Sequence, residues 1–270
     1  MSDNGDFRLV LVGAGNMGGA MLGGWLARGF NPQSITVIDP ARPQSFKDKG
    51  VRVEKAPVAG MVADVLILAV KPQIMAAVLP AAAALTGPDT VTVSVAAGQT
   101  IATIEGELGK GSAVVRTMPN TPALVGRGIT VACPNAAVNA LQRSRVDGLL
   151  RAVGKVEWVD DEALIDAVTA VSGSGPAYVF HLVEAMAAAG EKAGLPPELA
   201  AVLARETVSG AGELLAQSEL PPSRLRENVT SPKGTTAAAL EVLMGEGGLT
   251  PVMEKAVAAA HRRAKELGAK

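Results

Sequence analysis

Residues 9–18 read LVLVGAGNMG, an apolar run that leads directly into a glycine-rich turn. The apolar residues belong to a strand predicted for residues 8–12, and a helix is predicted for residues 17–28. The turn between them fits the pattern G-x-G-x-x-G, which is weak evidence alone but specific where it follows a strand and opens a helix. The stretch therefore predicts a Rossmann-type domain that binds a dinucleotide.

Each glycine in this turn has a separate predicted task. Gly13 allows the tight turn, Gly15 lets the backbone approach a pyrophosphate, and Gly18 lets the helix pack closely on the strand. Free N–H groups at the start of the helix then bind the phosphates. The alternative is a glycine-rich turn without a ligand. The cofactor contacts predicted in the turn are Gly13, Ala14, Gly15, Asn16, Met17 and Gly18.

The choice between NADH and NADPH depends on the residues directly after the second predicted strand, residues 35–38. Asp39 lies at the distance, about twenty residues on, from which a carboxylate binds the ribose 2′-hydroxyl, and this favours NADH. Arg42 comes shortly afterwards and offers a cation for a 2′-phosphate, which favours NADPH. Asp39 is alternatively a helix cap or a turn residue beside Pro40. The sequence leaves the cofactor open as NADPH or NADH.

Strands alternate with helices along the first two-thirds of the chain. Further strands are predicted for residues 51–53, 65–70, 91–95, 114–118, 129–132 and 156–159, with a helix over 73–85. This order implies right-handed crossovers and a mostly parallel sheet. After about residue 160 only alanine-rich helices are predicted, and their faces suit either a subunit interface or internal packing. We therefore expect an α/β protein with an N-terminal Rossmann domain, residues 1–160, and a C-terminal all-helical domain, residues 161–270.

Ligands of such sheets bind outside the carboxyl ends of the strands. Small residues at two further predicted strand ends, 69–72 and 94–98, leave room there for ribose and nicotinamide, and residues 118–120 lie at the end of a third strand. Lys71 is either catalytic or, as is commoner at a strand end, a surface lysine. The cofactor contacts predicted at these strand ends are Ala69, Val70, Lys71, Pro72, Ala96, Ala97, Gly98, Met118, Pro119 and Asn120.

Composition limits the other classes of function. The chain has 270 residues, a net charge of −1 and only 3% aromatic residues, so it lacks the basic surface and stacking side chains that bind nucleic acid. No apolar run reaches the roughly 18 residues of a membrane span, and residues 1–6 lack a signal-peptide pattern. One cysteine, Cys133, and two scattered histidines form no metal-ligand pattern. We expect a cytoplasmic protein without a metal or a catalytic histidine.

Six short motifs follow one another along the chain: GAGNMG at 13–18, AVKP at 69–72, VAAG at 95–98, RTMPNTPA at 116–123, SGSGPAY at 172–178 and VTSPKGTT at 229–236. In this order and spacing they resemble the pyrroline-5-carboxylate reductase family, over essentially the whole chain. The resemblance implies hydride transfer from NADPH or NADH to the imine carbon of 1-pyrroline-5-carboxylate, giving L-proline in the last step of its biosynthesis. It also implies a C-terminal dimerisation domain, a homodimer, and larger rings such as a homodecamer.

The segment from Ser231 to Thr236 precedes a helix predicted for residues 237–244. A Ser/Pro/Gly/Thr stretch that opens a helix presents free N–H groups and the positive end of the helix dipole, which suits a substrate carboxylate. The alternative is that these hydroxyls only cap the helix. The resemblance implies that Ser231, Gly234 and Thr235 hold the carboxylate. It places the hydroxyl of Thr236, the predicted catalytic residue, at the ring nitrogen, where it either donates the proton or orients the imine.

Three other positions have two interpretations each. Lys233 stands where the family generally has glycine, so either the backbone there needs an unusual φ or the lysine adds positive charge beside the carboxylate. The resemblance implies that Glu162 is a substrate-side acid, and the alternative is a carboxylate in the first turn of a helix. It implies that Asn228 contacts the cofactor from the helical domain, and the alternative is an ordinary turn residue.

Two rival functions are compatible with the same fold. A β-hydroxyacid dehydrogenase would have a lysine shortly after the glycine-rich turn at 173–176, but residues 177–181 read AYVFH. A non-enzymatic dinucleotide sensor would have no need of the carboxylate site at 231–236. A related cyclic imino acid stays open as the substrate.

Overall fold

The computed structural model describes residues 7–41 and 44–268. The expectations for residues 1–6 and for Arg42 lie outside these described residues. By packing, the chain forms two compact units: one reaches Gly173 and includes the chain from Ala260, and the other is Ser174–Ala259. The division expected from the sequence, a Rossmann domain over 1–160 and a helical domain over 161–270, stays a prediction.

Over the described residues of the first unit, eight strands form one sheet. They are β1 (Leu9–Val12), β2 (Ile35–Ile38), β3 (Arg52–Glu54), β4 (Val65–Leu68), β5 (Val91–Ser94), β6 (Ala113–Met118), β7 (Gly128–Pro134) and β8 (Gly154–Trp158). Their order is β3-β2-β1-β4-β5-β6-β7-β8, and all neighbours are parallel except β6 and β7. The mostly parallel Rossmann-type sheet expected from the sequence is confirmed.

The strand order reverses at β1, which pairs with β2 on one side and with β4 on the other. In an open parallel sheet such a reversal leaves a crevice at the carboxyl ends of the strands, and ligands bind there. The glycine-rich turn follows β1 directly, so the fold places this turn at the crevice.

Most helices of the first unit connect successive strands, and the last one follows β8. They are α1 (Asn16–Ala27), α2 (Gln44–Lys47), α3 (Pro72–Ala83), α4 (Ile101–Leu108), α5 (Ala140–Arg151) and α6 (Leu164–Val168). Short 3-10 turns cover Pro32–Ser34 and Thr121–Val125, and a π-helical segment covers Thr169–Gly173. The sequence patterns do not predict α4 or α5, although the side chains of Thr100 and Asn139 cap them.

The sheet is buried on both faces. Alternate residues of β1 point to opposite sides, so Leu9 and Leu11 belong to one apolar cluster and Val10 belongs to another. Continuous apolar strands of this kind are typical of parallel sheets covered by helices. On one face Trp25 of α1 is fully buried, and its Nε1 donates to the carbonyl oxygen of Leu149 at 2.9 Å. This packing holds the C-terminal part of α1 against the sheet and α5.

The second unit is helical over its described residues. Its helices are α7 (Gly175–Lys192), α8 (Pro197–Gln217), α9 (Pro222–Asn228), α10 (Thr235–Leu243) and α11 (Leu249–Gly268), the last of which ends in the first unit. The segments between these helices, 193–196, 218–221, 229–234 and 244–248, each contain a glycine or a proline. Several large apolar side chains of α7 and α8 are exposed: Val179, Phe180, Leu182, Leu199, Val202, Leu203, Leu214 and Leu215.

A membrane-spanning helix was not expected from the sequence. Over the described residues, none of the helices is both long enough and apolar enough to cross a bilayer.

Candidate active site

Two glycines of the turn after β1 are required by the packing of the protein itself. Gly13 has a φ of +91°, and a Cβ built on it would lie 2.7 Å from the carbonyl oxygen of Ala69. A Cβ on Gly18 would collide with the carbonyl oxygen of Gly13. The turn is therefore tight, and α1 lies close against β1 and the end of β4.

Gly15 differs from both, because a Cβ built on it would meet no described atom within 4 Å. It is the N-cap residue of α1, and no described side chain caps this helix. Gly15 also borders a cleft of about 590 Å³ at the carboxyl ends of the strands. An uncapped helix start beside an open cleft fits the pyrophosphate of a dinucleotide, since its first N–H groups have no helical partner.

Asp39 follows β2 and its carboxylate is held by two backbone N–H groups. Oδ2 accepts from Ala14 in the glycine-rich turn at 2.8 Å, and Oδ1 accepts from Ala41 at 2.8 Å. The second bond is a local turn of the kind that aspartate favours. Asp39 also borders the cleft, as does the exposed Lys55. An acid for a ribose hydroxyl and a cation for a 2′-phosphate thus line the same cleft, and the preferred cofactor stays open.

The end of β4 contributes to this cleft as well. Ala69, Val70 and Lys71 line it, and Pro72 is the first residue of α3. Lys71 is exposed at the rim of the cleft. These residues therefore come together with Gly13 in the first unit, as expected of a cofactor crevice.

The loop after β5 is the expected nicotinamide side of the crevice. Its residues Ala96 and Ala97 are small, and Gly98 has a φ of +72°. A Cβ on Gly98 would lie 3.0 Å from the backbone of Leu267, which belongs to the same unit. The loop thus packs closely against the last turn of α11.

The residues at the end of β6 and directly after it pack and form hydrogen bonds within the first unit. Pro119 and Asn120 are buried, and Met118 is half-buried. The Asn120 side chain donates from Nδ2 to the carbonyl oxygen of Ser172 at 3.2 Å and accepts at Oδ1 from the N–H of Ile129 at 3.0 Å. Cofactor contacts from these three residues stay a prediction, but Asn120 already has a structural task that the sequence did not indicate.

Glu162 lies in a network that the sequence patterns do not indicate. Its Oε1 accepts from Nη1 of Arg116 at 3.0 Å, and Nη2 of Arg116 donates to Oδ1 of Asp166 at 2.9 Å. The available signal was an arginine inside the otherwise apolar strand AVVRTM. A charged residue in a buried strand needs a charged partner, and here it has two.

The segment at 231–236 belongs to the second unit. Thr235 and Thr236 are the first two residues of α10, which therefore begins two residues earlier than expected. Gly234 is the N-cap residue, and no described side chain caps the helix. The hydroxyl of Ser231 lies against Gly234, where a Cβ would collide with it. The capping alternative thus gains no support, and the first N–H groups of α10 remain for a ligand.

Lys233 has a φ of +59°, in the left-handed region. Of the two alternatives for this position, the unusual backbone conformation is present, and lysine tolerates it less well than glycine. Asn228 is the last residue of α9 and is exposed. Its predicted cofactor contact, like the predicted roles of the residues at 231–236, stays a prediction.

Cys133 is buried on β7 opposite Arg116 of β6. Burial, together with the nearby charge of Glu162, raises the pKa of its thiol. Among the described residues, no group of histidine, cysteine and acidic side chains could hold a metal ion.

Two family models match the chain in the arrangement expected. Residues 8–98 match the model described as NADP oxidoreductase coenzyme F420-dependent. Residues 162–267 match the model described as pyrroline-5-carboxylate reductase dimerisation.

Relatives extend the similarity over nearly the whole chain. The pyrroline-5-carboxylate reductase of Pseudomonas aeruginosa is 46% identical over 264 residues, which are 96% of each chain. Among solved structures, the reductase of Coxiella burnetii has 38% identity and a TM-score of 0.90, covering 97% of this chain and 98% of the other. The Plasmodium falciparum pyrroline carboxylate reductase with NADP bound has 30% identity and a TM-score of 0.83, with the same coverage. The chain belongs to the pyrroline-5-carboxylate reductase family.

Proposed function

We propose that the protein reduces the C=N bond of 1-pyrroline-5-carboxylate with NADPH or NADH and so forms L-proline, the last step of proline biosynthesis. The observation that supports this most is the 46% identity to a named pyrroline-5-carboxylate reductase over 96% of the chain. That match includes both the dinucleotide turn of the first unit and the helix-opening segment of the second. A related cyclic imino acid is the alternative substrate.

The first unit would hold the cofactor. Gly15 and the first turn of α1 bind the pyrophosphate, and Asp39 or Lys55 contacts the adenosine ribose. The loop Ala96–Gly98 and Met118 then lie on the nicotinamide side. When bound, the reduced nicotinamide supplies a hydride.

The second unit would hold the substrate carboxylate. The uncapped start of α10 combines free N–H groups with the positive end of the helix dipole, and both favour an anion. Ser231, Gly234 and Thr235 form this cradle. Its task is to fix the orientation of the ring, because hydride transfer depends strongly on the distance and angle of the reacting atoms.

Thr236 would act at the ring nitrogen. Reduction of an imine adds a hydride to carbon and a proton to nitrogen, so the nitrogen must be protonated for the product to form. A threonine hydroxyl is too weak an acid to supply that proton freely near neutral pH. We therefore assign to Thr236 the orientation of an imine that is already protonated, by accepting a hydrogen bond from its N–H.

We also propose how the protein assembles and where it is located. The match to a dimerisation model and the exposed apolar residues of α7 and α8 support a homo-oligomer that acts on a small molecule. A homodimer, homodecamers built from it, and a cytoplasmic location without nucleic-acid or membrane partners are the finer statements. Light scattering coupled to gel filtration would measure the number of subunits.

The test of function is steady-state oxidation of NADPH and of NADH, followed by absorbance, with 1-pyrroline-5-carboxylate or a β-keto acid. Turnover on the imine alone is expected. Turnover on the keto acid alone, or none on either substrate, would overturn the proposal and leave only dinucleotide binding by the first unit. Thr236→Ser and Thr236→Ala then test the hydroxyl: serine should retain turnover, whereas alanine should lower it with cofactor affinity nearly unchanged.

A further inference from the structure

Arg116 is a buried cation in the middle of the sheet. Its side chain is only 4% exposed, and its partners Glu162 and Asp166 are 30% and 18% exposed. A buried guanidinium is costly to leave unpaired, and the two carboxylates together compensate its charge. The network therefore stabilises the fold, and a further role depends on which segments Glu162 contacts.

The oxygen of Glu162 that binds Arg116 has a second partner. Oε1 also accepts from the backbone N–H of Ile101 at 2.8 Å. Ile101 is the first residue of α4, and Thr100 caps the same helix by accepting from the N–H of Thr103 at 3.1 Å. A carboxylate at a helix start is stabilised by unpaired N–H groups and by the helix dipole. One carboxylate oxygen thus joins α4 to β6.

The two segments joined in this way lie at the carboxyl ends of the neighbouring strands β5 and β6. Ile101 shortly follows the loop Ala96–Gly98, and Met118 shortly follows Arg116. β5 and β6 are neighbours, and the hydroxyl of Thr117 donates to the carbonyl oxygen of Ser94 at the end of β5 at 2.9 Å. The ends of both strands and the start of α4 therefore form one connected structure at the expected nicotinamide side.

We propose that Glu162 is a positioning residue: through Ile101 and Arg116 it fixes the Ala96–Gly98 loop and Met118 against the nicotinamide. The inference rests on the proposed function. It differs from the role that the family resemblance implies, because a substrate-side acid would act on the affinity for the imine. A positioning residue acts on the rate of hydride transfer instead, since a small displacement of the nicotinamide lowers the rate without touching the substrate.

The experiment compares Glu162→Gln with Glu162→Ala. Glutamine keeps an oxygen for the Ile101 N–H but loses the charge that pairs with Arg116, whereas alanine loses both. Glu105→Gln is the matched control, because Glu105 lies on the same helix and its Oε1 accepts from the N–H of Gly111 at 2.9 Å. Steady-state kinetics give kcat and the KM of the imine, and hydrogen exchange follows the segment 96–104 in each purified variant.

For Glu162→Ala we expect kcat to fall on the order of tenfold or more, with the KM of the imine changed less than about twofold. Hydrogen exchange in the segment 96–104 should be faster in Glu162→Ala. Glu162→Gln should keep much of the kcat and of the exchange protection of the parent protein, and the control Glu105→Gln should match the parent in both. A raised KM with unchanged kcat, or unchanged kinetics, would overturn the inference. If the parent protein does not reduce the imine, the proposed function fails by itself. The exchange data still decide the inference then, because unchanged protection in Glu162→Ala would overturn it.

Discussion

The carboxylate of Asp39 accepts a hydrogen bond from the backbone N–H of Ala14 at 2.8 Å and so ties the end of β2 to the glycine-rich turn. A second bond, from the N–H of Ala41, fixes its other oxygen. The negative charge is therefore held at the wall of the cleft where a Rossmann domain places the adenosine ribose. A 2′-phosphate bound there would meet this charge at close range.

Removal of that charge should favour NADPH. Asp39→Asn retains one acceptor oxygen but no longer repels a phosphate, so we expect the ratio of kcat/KM for NADPH to that for NADH to rise on the order of tenfold. Parallel assays with the two cofactors measure the ratio. Asp48→Asn is the matched control, since Asp48 is exposed on the turn after α2 and its partner is the Gln44 side chain. An unchanged ratio in Asp39→Asn would show that Asp39 is only a turn residue.

Two glycines of the same turn should respond differently to a single methyl group. Gly15→Ala places its Cβ in open space, so the thermal unfolding midpoint should be nearly unchanged while the cofactor binds at least about tenfold more weakly. In Gly18→Ala the Cβ would collide with the Gly13 carbonyl oxygen, and we expect a loss of stability of several kcal/mol, roughly as for overpacked cores. Differential scanning fluorimetry and titration of cofactor fluorescence measure the two effects. Equal midpoints for both variants would contradict the assignment of separate tasks.

Much of the fold could be predicted because parallel strands covered on both faces are short, continuous apolar runs. β2 was expected at residues 35–38 and spans Ile35–Ile38. Helices with a narrow apolar face were harder to predict. The sequence of α5, ALQRSRVDGLLR, is largely polar, so its four buried residues give no clear helical period. Its start is marked by the capping box between Asn139 and Gln142, a local signal that needs no periodicity.

In the candidate site, too, local features could be predicted from the sequence and long-range contacts could not. The need for glycine at positions 13 and 18 could be predicted, because the turn needs a positive φ at Gly13 and a close approach of Gly18 to the Gly13 carbonyl oxygen. The pyrophosphate contact of Gly15 stays a prediction. Glu162 could not be placed from its neighbours, because its partner Arg116 lies 46 residues away in the sequence. Interactions between distant segments need the folded chain, and so do the roles that depend on them.

An ion pair in the first unit should make stability depend on pH. Asp64 accepts from the backbone N–H of Arg8 at 2.7 Å and from its guanidinium at 3.2 Å. Partial burial acts to raise the pKa of Asp64, but the hydrogen bonds and charge of Arg8 outweigh it, so this pKa lies below its ordinary value. A carboxyl with a lowered folded-state pKa stabilises above its unfolded pKa, and the stabilisation is lost as the pH falls through the folded value.

Asp64→Asn should therefore cost stability at pH 7 and little in strong acid. Because the Arg8 side chain is largely exposed, we expect a loss of at most about 1 kcal/mol at pH 7. The difference from the parent protein should begin to shrink as the pH falls below about 4. Urea unfolding at pH 7 and at pH 3 gives the two free energies. A difference that stays constant between them would mean that the charge of Asp64 contributes nothing.

Lys233 should be strained, since among the described residues it is the one non-glycine residue with a positive φ, at +59°. A side chain in the left-handed region costs about 1–2 kcal/mol, of which glycine recovers only part because it loses more entropy on folding. We therefore expect Lys233→Gly to raise the free energy of unfolding by about 0.5–1 kcal/mol in urea, whereas Lys233→Ala, which keeps the strain, should not. Equal stabilities of the two variants would contradict the strain. Both variants also lack the ammonium group. If this group attracts the substrate carboxylate, both variants should raise the KM of the imine alike. An unchanged KM in both would mean that only the backbone conformation matters at this position.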